Sequence, residues 1–175
     1  MDTFSTQRTQ ITRDLLGICT EFARTLSQGQ DPEAALAPFL NKLNGVLGAV
    51  GISVWEPDPA DGILQITAYT GLPAAYVAAG NEESRSEVNR ALSPVYRTFE
   101  RQELTAYTGL MQPEHPFSAH ARRIGGNSLY VVPVGRQNMP LGVVALYVPP
   151  EPILSHDEFL DWCGFVAQQV GLALY

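Results

Sequence analysis

Apolar residues recur at helical spacing near both ends of the chain. Close to the N-terminus, apolar positions three or four residues apart predict an amphipathic helix over about residues 6–28; they are Ile11, Leu15, Ile18, Phe22 and Leu26. A second helix is predicted to follow Asp31, a favourable N-cap, with Pro32 at its first position, and to end at Gly48.

The final helix is predicted to open at Ser155, because Glu158 lies three residues further on and completes a capping-box pattern. Its apolar residues cover more than one face. This breadth predicts contact with the domain's own sheet and also with a second helix, in this chain or in a partner.

Short runs rich in β-branched and aromatic residues lie between these helices. Residues 50–55 and 63–69 flank a break rich in Pro, Asp and Gly, and they predict a first β-hairpin. Residues 128–134 and 141–148 flank the turn formers of residues 135–140 and predict a second hairpin. Hairpins make an antiparallel sheet, and helices segregated on its faces indicate the α+β class.

The middle of the chain, residues 71–126, has mixed patterns. We predict, in chain order, a short helix at 73–79, a loop or helix at 82–92, a helix at 94–101, a short edge strand at 103–107 and helical turns at 118–124 closed by Gly125-Gly126.

Composition narrows the possible partners and location. The formal net charge is -7 and Lys42 is the only lysine, which argues against a nucleic-acid partner. No apolar run approaches the roughly 18 residues that a membrane span needs, so no membrane association is expected. The polar N-terminus lacks a signal-peptide core, which makes a cytoplasmic location the expectation. Cys19 and Cys163 form no metal-binding motif.

The stretch Gly125-Gly126-Asn127-Ser128, followed by Leu129 to Pro133 and by Gly142-Val143-Val144, resembles the GAF domain, a sensory fold related to PAS. The resemblance extends from about Leu15 to the end. It implies one domain over residues 1–175, with an N-terminal helix (1–28), a helix, sheet and cap (31–149) and a C-terminal helix (155–175).

The resemblance implies a central antiparallel sheet of about five or six strands, with terminal helices on one face and a helix and loop cap on the other. Small molecules bind such domains between sheet and cap; cyclic nucleotides, bilins, haem and small anions are among the ligand types. The implied lining is Tyr69, Tyr96, His115, Phe117, His120, Ser128, Tyr130, Val132, Ala145 and Tyr147. Alternate strand residues face opposite sides, and the sequence leaves open which side of the hairpin lines the pocket.

Chemistry-bearing residues are sparse. His115 and His120 offer imidazoles for an anion, a haem iron or a tetrapyrrole, and Arg122 and Arg123 offer guanidiniums for a carboxylate or phosphate. Bilin-binding members of the resembled family use a loop cysteine, and free-methionine-sulfoxide reductases need cysteines near the pocket. The sequence has no cysteine between residues 20 and 162, so neither chemistry is expected.

The expected function is therefore a non-catalytic sensory or regulatory domain. It would bind a small molecule, which the sequence does not identify, and signal through its terminal helices in a homodimer. The main alternative is an interaction module without a ligand. A tetrapyrrole-binding photoreceptor or a thiol-dependent reductase is less favoured, because the predicted cap contains no cysteine.

Overall fold

The computed structural model describes residues 3–136 and 139–174, and the predicted elements form with small shifts at their ends. The described residues make seven helices and five strands: α1 (Thr3–Ser27), α2 (Pro32–Leu47), β1 (Gly51–Pro57), β2 (Leu64–Thr70), α3 (Ala74–Glu83), α4 (Glu87–Leu92), α5 (Pro94–Arg101), β3 (Thr105–Tyr107), α6 (Ser118–Ile124), β4 (Ser128–Arg136), β5 (Met139–Val148) and α7 (His156–Leu174).

All five strands pair antiparallel in one sheet of order β2-β1-β5-β4-β3. Both predicted hairpins are present as β1–β2 and β4–β5, and β3 is an edge strand as predicted. The α+β class is therefore confirmed. Gln137 and Asn138 of the predicted second turn lie outside the described residues.

Each face of the sheet has its own apolar core, and the strands supply both. On β4, Tyr130 and Val132 pack with residues of α1, α2 and α7 on one face of the sheet. We call this apolar cluster the helix core. Leu129 and Val131 pack on the opposite side, under the segment from α3 to α6 that we call the cap. The terminal helices and the cap thus cover opposite faces, as the resemblance implies.

Local sequence signals explain where the long helices begin and end. Gly48 adopts φ +60° and donates its N–H to the Asn44 carbonyl, which closes α2 where predicted. The capping box of α7 forms as well: the Glu158 carboxylate accepts from Ser155 N at 2.8 Å, and Ser155 Oγ accepts from Glu158 N at 3.3 Å. The Asp31 side chain makes no capping hydrogen bond, so Pro32 at the first position is the signal that starts α2.

The cap differs most from the predictions. The helix predicted at 73–79 extends to Glu83. The segment 82–92, predicted as a loop or a helix, contains the short helix α4, in which no residue is buried. Within the described residues, no helix is both long and apolar enough to span a membrane.

Candidate functional site

A cavity of about 550 Å³ separates the sheet from the cap. Its floor is made by Trp55 of β1, Leu129 of β4 and Tyr147 of β5, all three with side chains on the cap face. Helices α3 to α6 and the loops around β3 supply the walls. The wall includes Tyr76, Ala79, Glu83, Arg90, Tyr96, Arg97, Tyr107, His115, Phe117, His120 and Arg123.

Three hydroxyl groups lie together in the floor. Burial raises the pKa of the Tyr147 hydroxyl, and the neighbouring hydroxyls of Tyr76 and Ser53 lower it; Trp55 Nε1 donates to Ser53 Oγ at 2.9 Å. The Tyr76 and Tyr147 rings meet edge to face with centroids 6.0 Å apart. Burial raises the pKa of both tyrosines, so their hydroxyls stay neutral at physiological pH and serve as polar groups inside an apolar site.

The cap is anchored to the edge of the sheet by two side chains. Strand β2 is an edge strand, and its outer N–H groups need partners. Tyr96 Oη of α5 accepts from Leu64 N at 2.8 Å, and Asn81 Oδ1 of α3 accepts from Ile66 N at 2.7 Å. These bonds tie both helices to the sheet that forms the floor of the cavity.

Aromatic and imidazole rings from β3, α6 and the loop between them form another part of the wall. The Phe117 ring lies 5.9 Å from the Tyr107 ring and 5.6 Å from the His115 ring, centroid to centroid. His115 Nδ1 accepts from Phe117 N at 3.2 Å, which orients its imidazole. His120 of α6 brings its Nε2 to 4.0 Å from the Glu83 carboxylate of α3, across the cavity wall.

Half of the predicted lining residues are brought together in the cavity. Tyr96, His115, Phe117, His120 and Tyr147 all line it. Whether they contact a ligand stays a prediction, and so does the role proposed for each of them.

The other five predicted residues do not line this cavity. Tyr130 and Val132 face the helix core, and Ser128 shares their side of β4. Tyr130 instead stacks on Phe159, and its hydroxyl is 2.8 Å from His156 Nδ1.

Ala145 faces the cap but is fully buried in the core and does not line the cavity. Tyr69 lies on the edge strand β2 and is 41% exposed, outside the cavity.

Sequence reasoning missed Trp55, Tyr76, Arg90 and Arg97 among the lining residues. Strand alternation put Trp55 on one face of its predicted strand but did not tell which face lines a cavity. The arginines gave no signal either, because a charged residue in a short helix ordinarily indicates a solvated position.

The two cysteines lie on the far side of the sheet from the cavity. Cys19 of α1 and Cys163 of α7 are both buried in the helix core. Burial raises the pKa of Cys19 to about 11 and that of Cys163 to about 12, so neither side chain is a thiolate at neutral pH. Among the described residues, no three His, Cys, Asp or Glu side chains are grouped so as to hold a metal ion.

Solved structures identify the architecture. The GAF domain region of a protein from Geobacter sulfurreducens PCA matches with a TM-score of 0.66 and 19% identity, over 86% of this chain and 97% of that chain. The GAF domain of a phosphoenolpyruvate-protein phosphotransferase from Coxiella burnetii matches with a TM-score of 0.66 and 17% identity, over 93% of each chain. The chain has the GAF fold.

Proteins of different activity share this GAF fold. A type II free methionine-R-sulfoxide reductase from Thermoplasma acidophilum matches with a TM-score of 0.58 and 15% identity, over 82% of this chain and 92% of that chain. No protein-family model matches the sequence, and no curated protein matches it. Function must therefore be argued from the site.

Proposed function

We propose that this chain is a non-catalytic, cytoplasmic sensory domain that binds a small molecule between sheet and cap and signals through its terminal helices in a homodimer. The observation that carries the proposal is the cavity itself. Its volume of about 550 Å³ falls within the range of small-molecule sites, about 300–1,000 Å³. Its walls combine aromatic rings with a few fixed polar groups, the composition typical of such sites.

The position of the cysteines supports a binding role over the reductase alternative. A thiol-dependent reductase needs a reactive sulfur next to its substrate. Both sulfurs of this chain are in the helix core, and neither cysteine lines the cavity. The reductase alternative predicts an activity that is lost on Cys19→Ser or Cys163→Ser, and the sensory proposal predicts that neither change affects binding.

The sheet offers a direct route from the cavity to the terminal helices. Tyr147 lies in the cavity floor, while its neighbour Leu146 packs in the core under α1, α2 and α7. A ligand that moves the floor of the cavity therefore also moves the surface on which these helices rest. A ligand that binds one arrangement of cap and helices more tightly shifts the population toward that arrangement.

Native mass spectrometry and an absorbance spectrum of the purified full chain test the binding proposal. We expect a bound small molecule, or saturable binding of N-phenyl-1-naphthylamine, an uncharged aromatic dye. Ala79→Phe places a ring inside the cavity wall and should abolish dye binding. Ala78→Phe, which adds the same ring at an exposed position of α3, is the matched control.

Two results together would contradict the proposal and favour the interaction module: the purified protein carries no bound small molecule, and Ala79→Phe binds the dye as the wild type does. A visible absorbance band would instead favour the tetrapyrrole alternative. In that case the pigment should extract from denatured protein, because no cysteine is available in the cavity to bond it.

Exposed leucines on the terminal helices support the homodimer. Leu16 of α1 is 48% exposed and Leu172 of α7 is 55% exposed, and α7 also carries the half-buried ring pair Trp162–Phe165. Light scattering on the full chain should return a dimer that Leu16→Glu with Leu172→Glu converts to a monomer. Leu104→Glu, an exposed leucine outside the terminal helices, should leave it dimeric. A wild-type monomer at tens of micromolar would overturn the dimer.

A further inference from the structure

The charge of the cavity is opposite to that of the chain. The whole sequence has 18 acidic and 11 basic residues. The cavity lining instead holds three arginines, Arg90, Arg97 and Arg123, and a single carboxylate, Glu83. Even Glu83 has an imidazole partner, because His120 Nε2 lies 4.0 Å from its carboxylate.

None of the three arginines is neutralised by a carboxylate within the described residues. Arg97 donates to the Tyr107 hydroxyl at 3.1 Å, and Arg90 donates to the Ser84 carbonyl at 3.3 Å. Two arginines outside the cavity pair with carboxylates: Arg85 with Asp61 at 3.7 Å, and Arg8 with Glu158 at 3.1 Å. What distinguishes the cavity is that three guanidiniums without a carboxylate partner line the same space, beside a single carboxylate.

Arg123 is the most available of the three. Within residues 3–136 and 139–174, its side chain makes no hydrogen bond and no ion pair. Arg123 belongs to α6 and lines the same cavity as the Tyr76 and Tyr147 side chains. The preceding residue, Arg122, instead donates to the Met111 carbonyl at 3.2 Å and does not line the cavity.

We infer that the cavity is built for an organic acid: a small molecule with an apolar, ring-bearing body and one carboxylate, sulfonate or phosphate group held by the Arg123 guanidinium. This inference rests on the proposed binding function and adds the chemical class of the ligand. The rings of Trp55, Tyr76 and Phe117 contact the body. The guanidinium supplies two parallel N–H donors to the acid group.

Two dyes that differ by one charged group test this inference. The probe 8-anilino-1-naphthalenesulfonate carries the ring body of N-phenyl-1-naphthylamine plus a sulfonate. We expect the wild-type full chain to bind the sulfonate dye more tightly. Raising NaCl from about 50 to about 500 mM should weaken binding of the sulfonate dye and not that of the uncharged dye, because the site is open to solvent and salt screens its charges.

Substitutions identify the guanidinium responsible. Arg123→Gln should weaken binding of the sulfonate dye at least about tenfold, the low end of the loss expected when charge-assisted hydrogen bonds are removed, and leave binding of the uncharged dye unchanged. Arg123→Lys, which keeps the charge, should restore part of the affinity. Arg122→Gln removes the neighbouring guanidinium, which donates to the Met111 carbonyl outside the cavity lining, and should leave the affinity for both dyes unchanged.

Each failure has its own signature. Equal affinity for the two dyes, or an Arg123→Gln variant that keeps full affinity for the sulfonate dye, overturns the organic-acid inference and leaves the binding proposal intact. Binding of either dye that Ala79→Phe does not reduce overturns the binding proposal itself, and with it the inference.

Discussion

Strand β5 passes so close to β1 at Gly142 that a methyl group has no room there. An alanine Cβ at position 142 would lie 2.2 Å from the Trp55 carbonyl oxygen and 3.3 Å from its carbonyl carbon. Both contacts are with backbone, so no side-chain rotation relieves them. The same Trp55 supplies part of the cavity floor, so the effect of this substitution links the packing of the sheet to the site.

The geometry gives the size of the effect. Restoring van der Waals contact requires β1 and β5 to separate locally by about 1 Å, at the register where Trp55 pairs with Val143. Such overpacking typically costs about 1–3 kcal/mol. For a chain of this size, Gly142→Ala should therefore lower Tm by about 2–12 °C. Because the floor moves with Trp55, dye binding should weaken as well.

Gly80→Ala is the matched control, because its added Cβ would contact the side chain of the same residue, Trp55, from helix α3 of the cap. Its Cβ would lie 3.4 Å from the Trp55 ring and 3.5 Å from the Ile66 side chain, both at ordinary contact distance. Gly80 lies within α3, where alanine is favoured over glycine by about 0.5–1 kcal/mol. Gly80→Ala should therefore be neutral or stabilising.

Urea and thermal unfolding followed by circular dichroism measure both variants. The close packing of β5 on β1 is refuted if Gly142→Ala unfolds within about 0.5 kcal/mol of the wild type, the spread of an ordinary surface substitution. A Gly80→Ala variant as unstable as Gly142→Ala would equally contradict it, since the two glycines would then not differ in the space around them.

Three further predictions concern the terminal helices. Ser155→Ala removes one bond of the α7 capping box and should lower the free energy of unfolding by about 0.5–2 kcal/mol in urea titrations; an unchanged value would contradict the role of the cap. The hydrogen bond from Ser155 N lowers the pKa of Glu158, so this carboxylate stabilises the fold above its unfolded pKa. The stability difference between wild type and Glu158→Gln should therefore be full at neutral pH and disappear as the pH falls below about 4; a difference that persists in acid would count against it. Cys19 and Cys163, buried and with raised pKa values of about 11 and about 12, should resist iodoacetamide at about pH 8 in the native chain and react in urea; rapid native labelling, read by mass spectrometry, would revive the reductase alternative.

Strong local signals made the layers of the fold predictable from sequence. Pro32 and Gly48 mark the two ends of α2, and the Ser155 and Glu158 capping box marks the start of α7. These signals are readable from sequence because they act through nearby backbone groups. The cap was less predictable because it depends on contacts distant in sequence. Helix α4 buries no residue and α3 is tied to β2 by Asn81, so periodicity alone did not define either helix.

The site was half predictable for a different reason. Val131 and Val132 are both buried, because β4 is covered on both faces. A strand buried on both sides loses the apolar and polar alternation that reveals which side faces a pocket. This is why Tyr130 and Val132 were expected in the lining although they belong to the helix core. Arg97 was missed because only the folded cap turns this charged residue of α5 toward the cavity.

The most direct test of the central claim uses Trp55 as a reporter in the cavity floor. The sequence has two tryptophans, so Trp162→Phe leaves Trp55 as the only one. Titration of this variant with N-phenyl-1-naphthylamine should quench Trp55 emission to a plateau, and the added substitution Ala79→Phe should abolish the quenching while Ala78→Phe preserves it. Quenching that never saturates, or that is the same with Ala79→Phe, would show that the cavity between sheet and cap does not bind a small molecule.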